Sequence, residues 1–78
     1  MKDIKLTDVT IHIDQETNAD TRELLEIALR NIDGVVSVHM PVNRNHLLLV
    51  EYDPDVTSSA HMLATVSSLA GHAEMIGL

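Results

Sequence analysis

The chain has no cysteine, no tryptophan and no phenylalanine, and Tyr52 is its one aromatic residue. Without cysteine, disulfides, thiolate metal ligands and thiol nucleophiles are all excluded. With a single ring there is no platform on which bases could stack, so RNA readers are poor guides to its function. Its three glycines form no phosphate-cradling loop. The longest uninterrupted apolar run, Leu47 to Val50, falls far short of the ~20 residues needed to cross a bilayer. Positive charge is scarce as well: five Lys and Arg stand against twelve Asp and Glu, a formal charge of -7 with neutral histidines. Such a chain repels phosphate backbones and anionic lipid. Nucleic acid and membrane insertion are therefore not expected. Met1-Lys2-Asp3-Ile4-Lys5 leads into no apolar signal segment, so a soluble, cytoplasmic chain is expected.

Its 78 residues, 45% of them hydrophobic and 22% charged, suit one small globular domain over residues 1–78. Val9, Ile11 and Ile13 alternate with Thr10, His12 and Asp14, the period of a half-buried strand. A polar stretch follows. Asp20-Thr21-Arg22-Glu23 has capping-box spacing, with Asn18 or Thr17 as rival caps, and Leu25, Ala28, Leu29 and Ile32 mark the buried stripe of a helix over roughly residues 19–32. Gly34 is placed to end it. Val36, Val38, Met40 and Val42 then alternate as a second strand, in which Pro41 favours an edge position. Asn43-Arg44-Asn45 supplies turn chemistry, and a third, denser strand spans 46–52. After Asp53-Pro54-Asp55, Thr57 or Ser58 caps a second helix with Met62, Leu63, Val66, Leu69 and Ala70 on its stripe, ending at Gly71. Residues from His72 to Leu78 form a short last strand. The order β-α-β-β-α-β predicts an α+β, ferredoxin-like fold, a four-stranded antiparallel sheet with both helices on one face.

Three stretches carry a resemblance: Val9-Thr10-Ile11-His12-Ile13-Asp14, Ala28-Leu29-Arg30-Asn31-Ile32-Asp33-Gly34-Val35-Val36-Ser37-Val38, and Val50-Glu51-Tyr52-Asp53-Pro54. Together they resemble the heavy-metal-associated (HMA) domain, the family of copper chaperones, the mercury-binding periplasmic protein and the amino-terminal modules of metal-pumping ATPases. The resemblance implies the same ferredoxin-like fold and a setting in metal transport or detoxification. In that family a Gly-Met-x-Cys-x-x-Cys loop after the first strand presents two thiolates to a soft ion. Here Asn18 and Thr21 stand at the two cysteine positions. An amide and a hydroxyl bind monovalent copper or mercury poorly, because those ions prefer sulfur. The thiolate function is therefore not implied for this chain, and no cofactor is required.

Two other groups of residues offer chemistry. Asp14, Glu16 and Asp20 gather carboxylates around the first loop, and His72 approaches the same end of the domain. Oxygen and imidazole donors suit a non-thiophilic divalent ion such as zinc, nickel or calcium. The plainer reading is that acidic residues at a helix start answer its dipole. The histidines His12, His39, His46, His61 and His72 match no metal-ligand spacing. His12 and His39 share the open sheet face but lie two strand spacings apart, about 10 Å, too far for one ion within a monomer. The second group is that face itself. If Leu48, Val50 and Tyr52 face the helices, Leu47 and Leu49 face outward beside His12 and His39, a candidate interface for a protein partner or a homodimer that histidine protonation would loosen. A reversed register would bury the two leucines instead.

No Ser/His/Asp elbow or cleft-forming insertion is present, so an enzyme is not expected. The residues point first to a protein-interaction or docking module that uses His12, His39, Leu47 and Leu49. An ion binder using Asp14, Glu16, Asp20 and His72 is the alternative. A small-ligand regulatory domain of the ACT type, with the same element order, is a third.

Overall fold

Alternation in the first strand decides which of its residues enter the core. The computed structural model describes residues 5–15 and 17–76. In it β1 (Thr7–Ile13) buries Val9, Ile11 and Ile13 and turns Asp8, Thr10 and His12 the other way. It is followed by α1 (Ala19–Arg30), β2 (Val35–His39), β3 (Leu47–Tyr52), α2 (Ser59–Ala70) and β4 (Ala73–Ile76). The strands form one antiparallel sheet in the order β2-β3-β1-β4. Leu25 and Leu29 of α1 and Met62 and Val66 of α2 join the strand residues in a single core, so both helices cover the same face. This is the ferredoxin-like arrangement that the element order predicts.

The two central strands set the register. Val9 lies opposite Val50, Ile11 opposite Leu48, and Thr10 opposite Leu49. Leu48, Val50 and Tyr52 are consequently buried under the helices, while Leu49 is 40% exposed on the far face and Leu47 is half-buried there. Each fully buried aliphatic side chain contributes about 1.5–3 kcal/mol of transfer free energy, before the cavity its removal would leave.

Some boundaries differ from the periodicity, each for a local reason. The second strand starts at Val35 and carries a bulge: Val35 pairs with Tyr52 but Ser37 with Glu51, leaving Val36 without a partner. The extra residue shifts the phase, so Val36 is exposed while Val35 packs on the core beside buried Val38. β2 is an edge strand, and it ends at His39, before Pro41. At that edge Arg30 Nη2 donates to Val38 O at 3.4 Å, occupying a carbonyl that would otherwise invite another strand. Leu69, expected on the α2 stripe, is 44% exposed because the last turn of α2 overhangs the β1–α1 loop. Leu24 and Ile27 stay exposed on the outside of α1. Of the expected last strand, Gly77 and Leu78 lie outside the described residues.

Gly34 closes the α1–β2 junction with φ at +97°. Its carbonyl accepts from Asp53 N at 2.8 Å, and a Cβ at this position would stand 2.8 Å from Val56 Cβ. Steric overlap thus adds to the unfavourable backbone conformation. Gly34→Ala is expected to lower stability by about 1–3 kcal/mol, read as a fall in the urea midpoint at unchanged m-value. A midpoint equal to wild type would contradict this packing.

Candidate functional site

The loop between β1 and α1 and the open sheet face are the two places where the sequence put candidate chemistry. In the loop, Asn18 is the N-cap of α1: its backbone is extended and its Oδ1 accepts from Thr21 N at 2.8 Å. Asp20 sits in the first turn, so the capping box that would start at Asp20 is not the one used. Buried Thr17 donates its hydroxyl to Asn45 O at 2.9 Å, and Arg22 Nη1 donates to Asn45 Oδ1 at 3.2 Å. These bonds fasten the loop to the β2–β3 turn. Asn18 therefore spends its side-chain oxygen on capping the backbone N–H of Thr21, and the shallow depression that both residues line with Leu69, Ala70 and Gly71 offers only neutral oxygen and nitrogen atoms. Such a donor set gives a soft ion nothing to hold.

The carboxylate and imidazole residues are distributed differently from the sequence reading. Asp14 and His72 come together, with His72 Nε2 3.8 Å from Asp14 Oδ2. Glu74 joins them, its Oε1 3.3 Å from the same nitrogen. Asp20 is not part of this group, because it belongs to the exposed first turn of α1, and Glu16 lies outside the described residues. Glu74 is the residue that sequence reasoning missed. Its signal was the two-residue step: His12-x-Asp14 at the end of β1 is matched by His72-x-Glu74 at the start of β4, but only the β1–β4 pairing shows that the two steps are neighbours.

On the open face, His12 lies opposite Leu47 and His39 opposite Leu49, with β3 between them. His12 stacks on His46, ring centroids 5.8 Å apart and planes 19° from parallel, a pairing that the spacing of the histidines did not suggest. His46 is oriented by its Nδ1, 2.9 Å from Ile13 O. His61 is exposed on α2, remote in the fold from this sheet face.

No protein-family model and no curated protein matches the sequence. Solved structures do match in fold. A copper binding domain from HMA7, a P-type ATPase, superposes with a TM-score of 0.79 at 20% identity, over 90% of this chain and 93% of that one. Oxidized MerP from Ralstonia metallidurans CH34 gives 0.79 at 15% identity, covering 91% and 97%. The yeast copper transporter domain Ccc2a gives 0.78 at 16%, covering 90% and 94%. The structural neighbours are thus copper and mercury domains, and this chain has their fold without a cysteine.

Removal of the cap tests the structural role of the loop. Asn18→Ala is expected to destabilise the domain by about 1 kcal/mol, since the first turn of α1 loses the acceptor for Thr21 N. Thermal unfolding followed by circular dichroism measures it, and an unchanged midpoint would mean that the cap is not formed.

Proposed function

We propose that the domain is a protein-docking module built on the frame of the copper- and mercury-binding domains, acting in metal transport or detoxification without itself carrying a thiophilic ion. The make-up of the open sheet face carries this reading. Leu49 on central β3 is 40% exposed with half-buried Leu47 on the same strand, and Ile76 on the edge strand β4 is 43% exposed. Around them stand Asp8, Glu51 and Glu74, and none of the four strands contains a lysine or arginine. An apolar centre inside an acidic rim fits a partner with an apolar patch bordered by basic side chains. A second copy of this chain fits less well, because carboxylates would meet carboxylates. The metal-transport setting is supported by the structural neighbours, a copper binding domain of a P-type ATPase and a copper transporter domain. A second reading, ion binding by imidazole and carboxylate with a divalent metal such as zinc or nickel, is favoured by the approach of His72 to Asp14.

A photoreactive amino acid placed at position 49 should give a discrete adduct with another protein in the cells that express this chain, while one at exposed position 64 on α2 should not. Yield should fall as salt rises from about 50 to 500 mM, since charge complementarity is screened. Equal yields from both positions, or an adduct only with a second copy, would overturn the docking reading.

For the loop, wild-type protein is expected to leave a chromogenic Cu(I)-chelator complex intact. The double substitution Asn18→Cys, Thr21→Cys places two thiols at the start of α1 and should withdraw the ion. Cu(I) capture by the wild type would contradict the absence of a soft-ion site.

A further inference from the structure

We propose that His72, Asp14 and Glu74 form a site for a borderline divalent cation, with zinc as the reference ion, where β1 and β4 pair on the open face. The proposal deepens the ion-binding reading by naming its ligands, and it does not depend on the docking reading. Its basis is the register. His12 stands directly opposite Glu74. One step further, Asp14 N donates to His72 O at 3.0 Å, so the ladder continues past the end of β4. Asp14 and His72 stand one residue beyond the ends of β1 and β4, and the approaches of Asp14 to His12 and of His72 to Asp14 and Glu74 bring the four side chains into a two-by-two array of imidazole and carboxylate.

Within that array two carboxylates converge on one nitrogen. His72 Nε2 lies 3.3 Å from Glu74 Oε1 and 3.8 Å from Asp14 Oδ2, and the three candidate ligand atoms are all within 4.8 Å of one another. A neutral imidazole nitrogen carries at most one hydrogen, which can serve one of these carboxylates at a time and leaves two negative groups side by side. A divalent ion among the three takes the nitrogen lone pair and both anions. Donors held tetrahedrally at about 2.0–2.1 Å from zinc are about 3.3–3.4 Å from each other; the His72–Glu74 separation of 3.3 Å already matches this, and the His72–Asp14 separation of 3.8 Å has to shorten. The side chains are 65%, 49% and 65% exposed, so small rotations can close the remainder. With Nε2 as ligand the ring proton resides on Nδ1.

The other oxygen of Asp14 faces a second imidazole. His12 Nδ1 lies 3.8 Å from Asp14 Oδ1, and His12 is itself stacked on the oriented ring of His46. This leaves Oδ2 turned toward His72. One nitrogen and two carboxylate donors with a position open to water suit zinc, nickel or cobalt. Calcium asks for six to eight oxygens, more than this group supplies. Among the described residues it is the one cluster of three histidine and acidic ligands close enough to share an ion.

Titration of the tag-free domain with zinc at pH 7.5 by isothermal calorimetry tests the site. One equivalent should bind with a Kd of about 1–100 µM, and the 15N signal of His72 Nε2 should shift on saturation. His72→Ala and Glu74→Gln should each weaken binding at least about tenfold, while His61→Ala should leave it unchanged. Both altered side chains are exposed, and unchanged circular dichroism would show that the fold is intact. Calcium should not displace the zinc. Absence of saturable binding below about 1 mM would overturn both this site and the ion-binding reading. Zinc binding that survives His72→Ala would overturn this site alone, by placing the ion on other donors.

Discussion

The antiparallel pairing of β1 with β3, which sets Val9 against Val50 and Ile11 against Leu48, turns the apolar residues of both central strands toward the helices. Because side chains alternate across a sheet, a slip of one residue would move that whole set into solvent and draw His12, Leu47 and Leu49 into the core. The cost of such a slip makes the register firm. The composition of the open face is therefore a by-product of core packing: whatever lies between the buried positions of the four strands must appear together on the other side. Acidic, imidazole and leucine side chains meet there because the core has fixed where each strand stands.

The same frame explains how the domain keeps the fold of copper and mercury domains without a thiolate loop. The helix-to-strand junction around Gly34 and the turn after β3 interlock, through the Gly34 O–Asp53 N bond and the close approach of Val56. Asp53 also accepts from Asp55 N through its side chain and from Val56 and Thr57 through its carbonyl. Two of the three stretches that carry the sequence resemblance are thus partners in one packing contact. They report on the frame. The β1–α1 loop is a separate matter, and here it forms a hydrogen-bonded cap tied to Asn45.

Where periodicity misplaced a residue, a local geometric event intervened. The alternation through Val36, Val38 and Met40 looks uninterrupted, yet the bulge at Val36 puts Val35 and Val38 on the core instead. A bulge has no fixed residue signature in this stretch, so nothing in the alternation announces it. Leu69 has the spacing of a core residue, yet it sits in the last turn of α2 beside the β1–α1 loop and is exposed. Asp20 is near Asp14 in sequence and belongs to a helix that leads away from it, whereas Glu74, distant in sequence, is brought near by strand pairing.

Taken alone, the sequence determined the element order, the buried stripes, the caps at Asn18 and Ser58 as members of short candidate sets, and the absence of thiolate ligands. These are local properties: they follow from spacing along one segment or from the donor types present. Only the tertiary structure decided which histidine meets which carboxylate. Contacts between β1 and β4 join residues some sixty positions apart, as His12 with Glu74, and the register that aligns them is fixed by the packing of the whole core, which no single segment encodes.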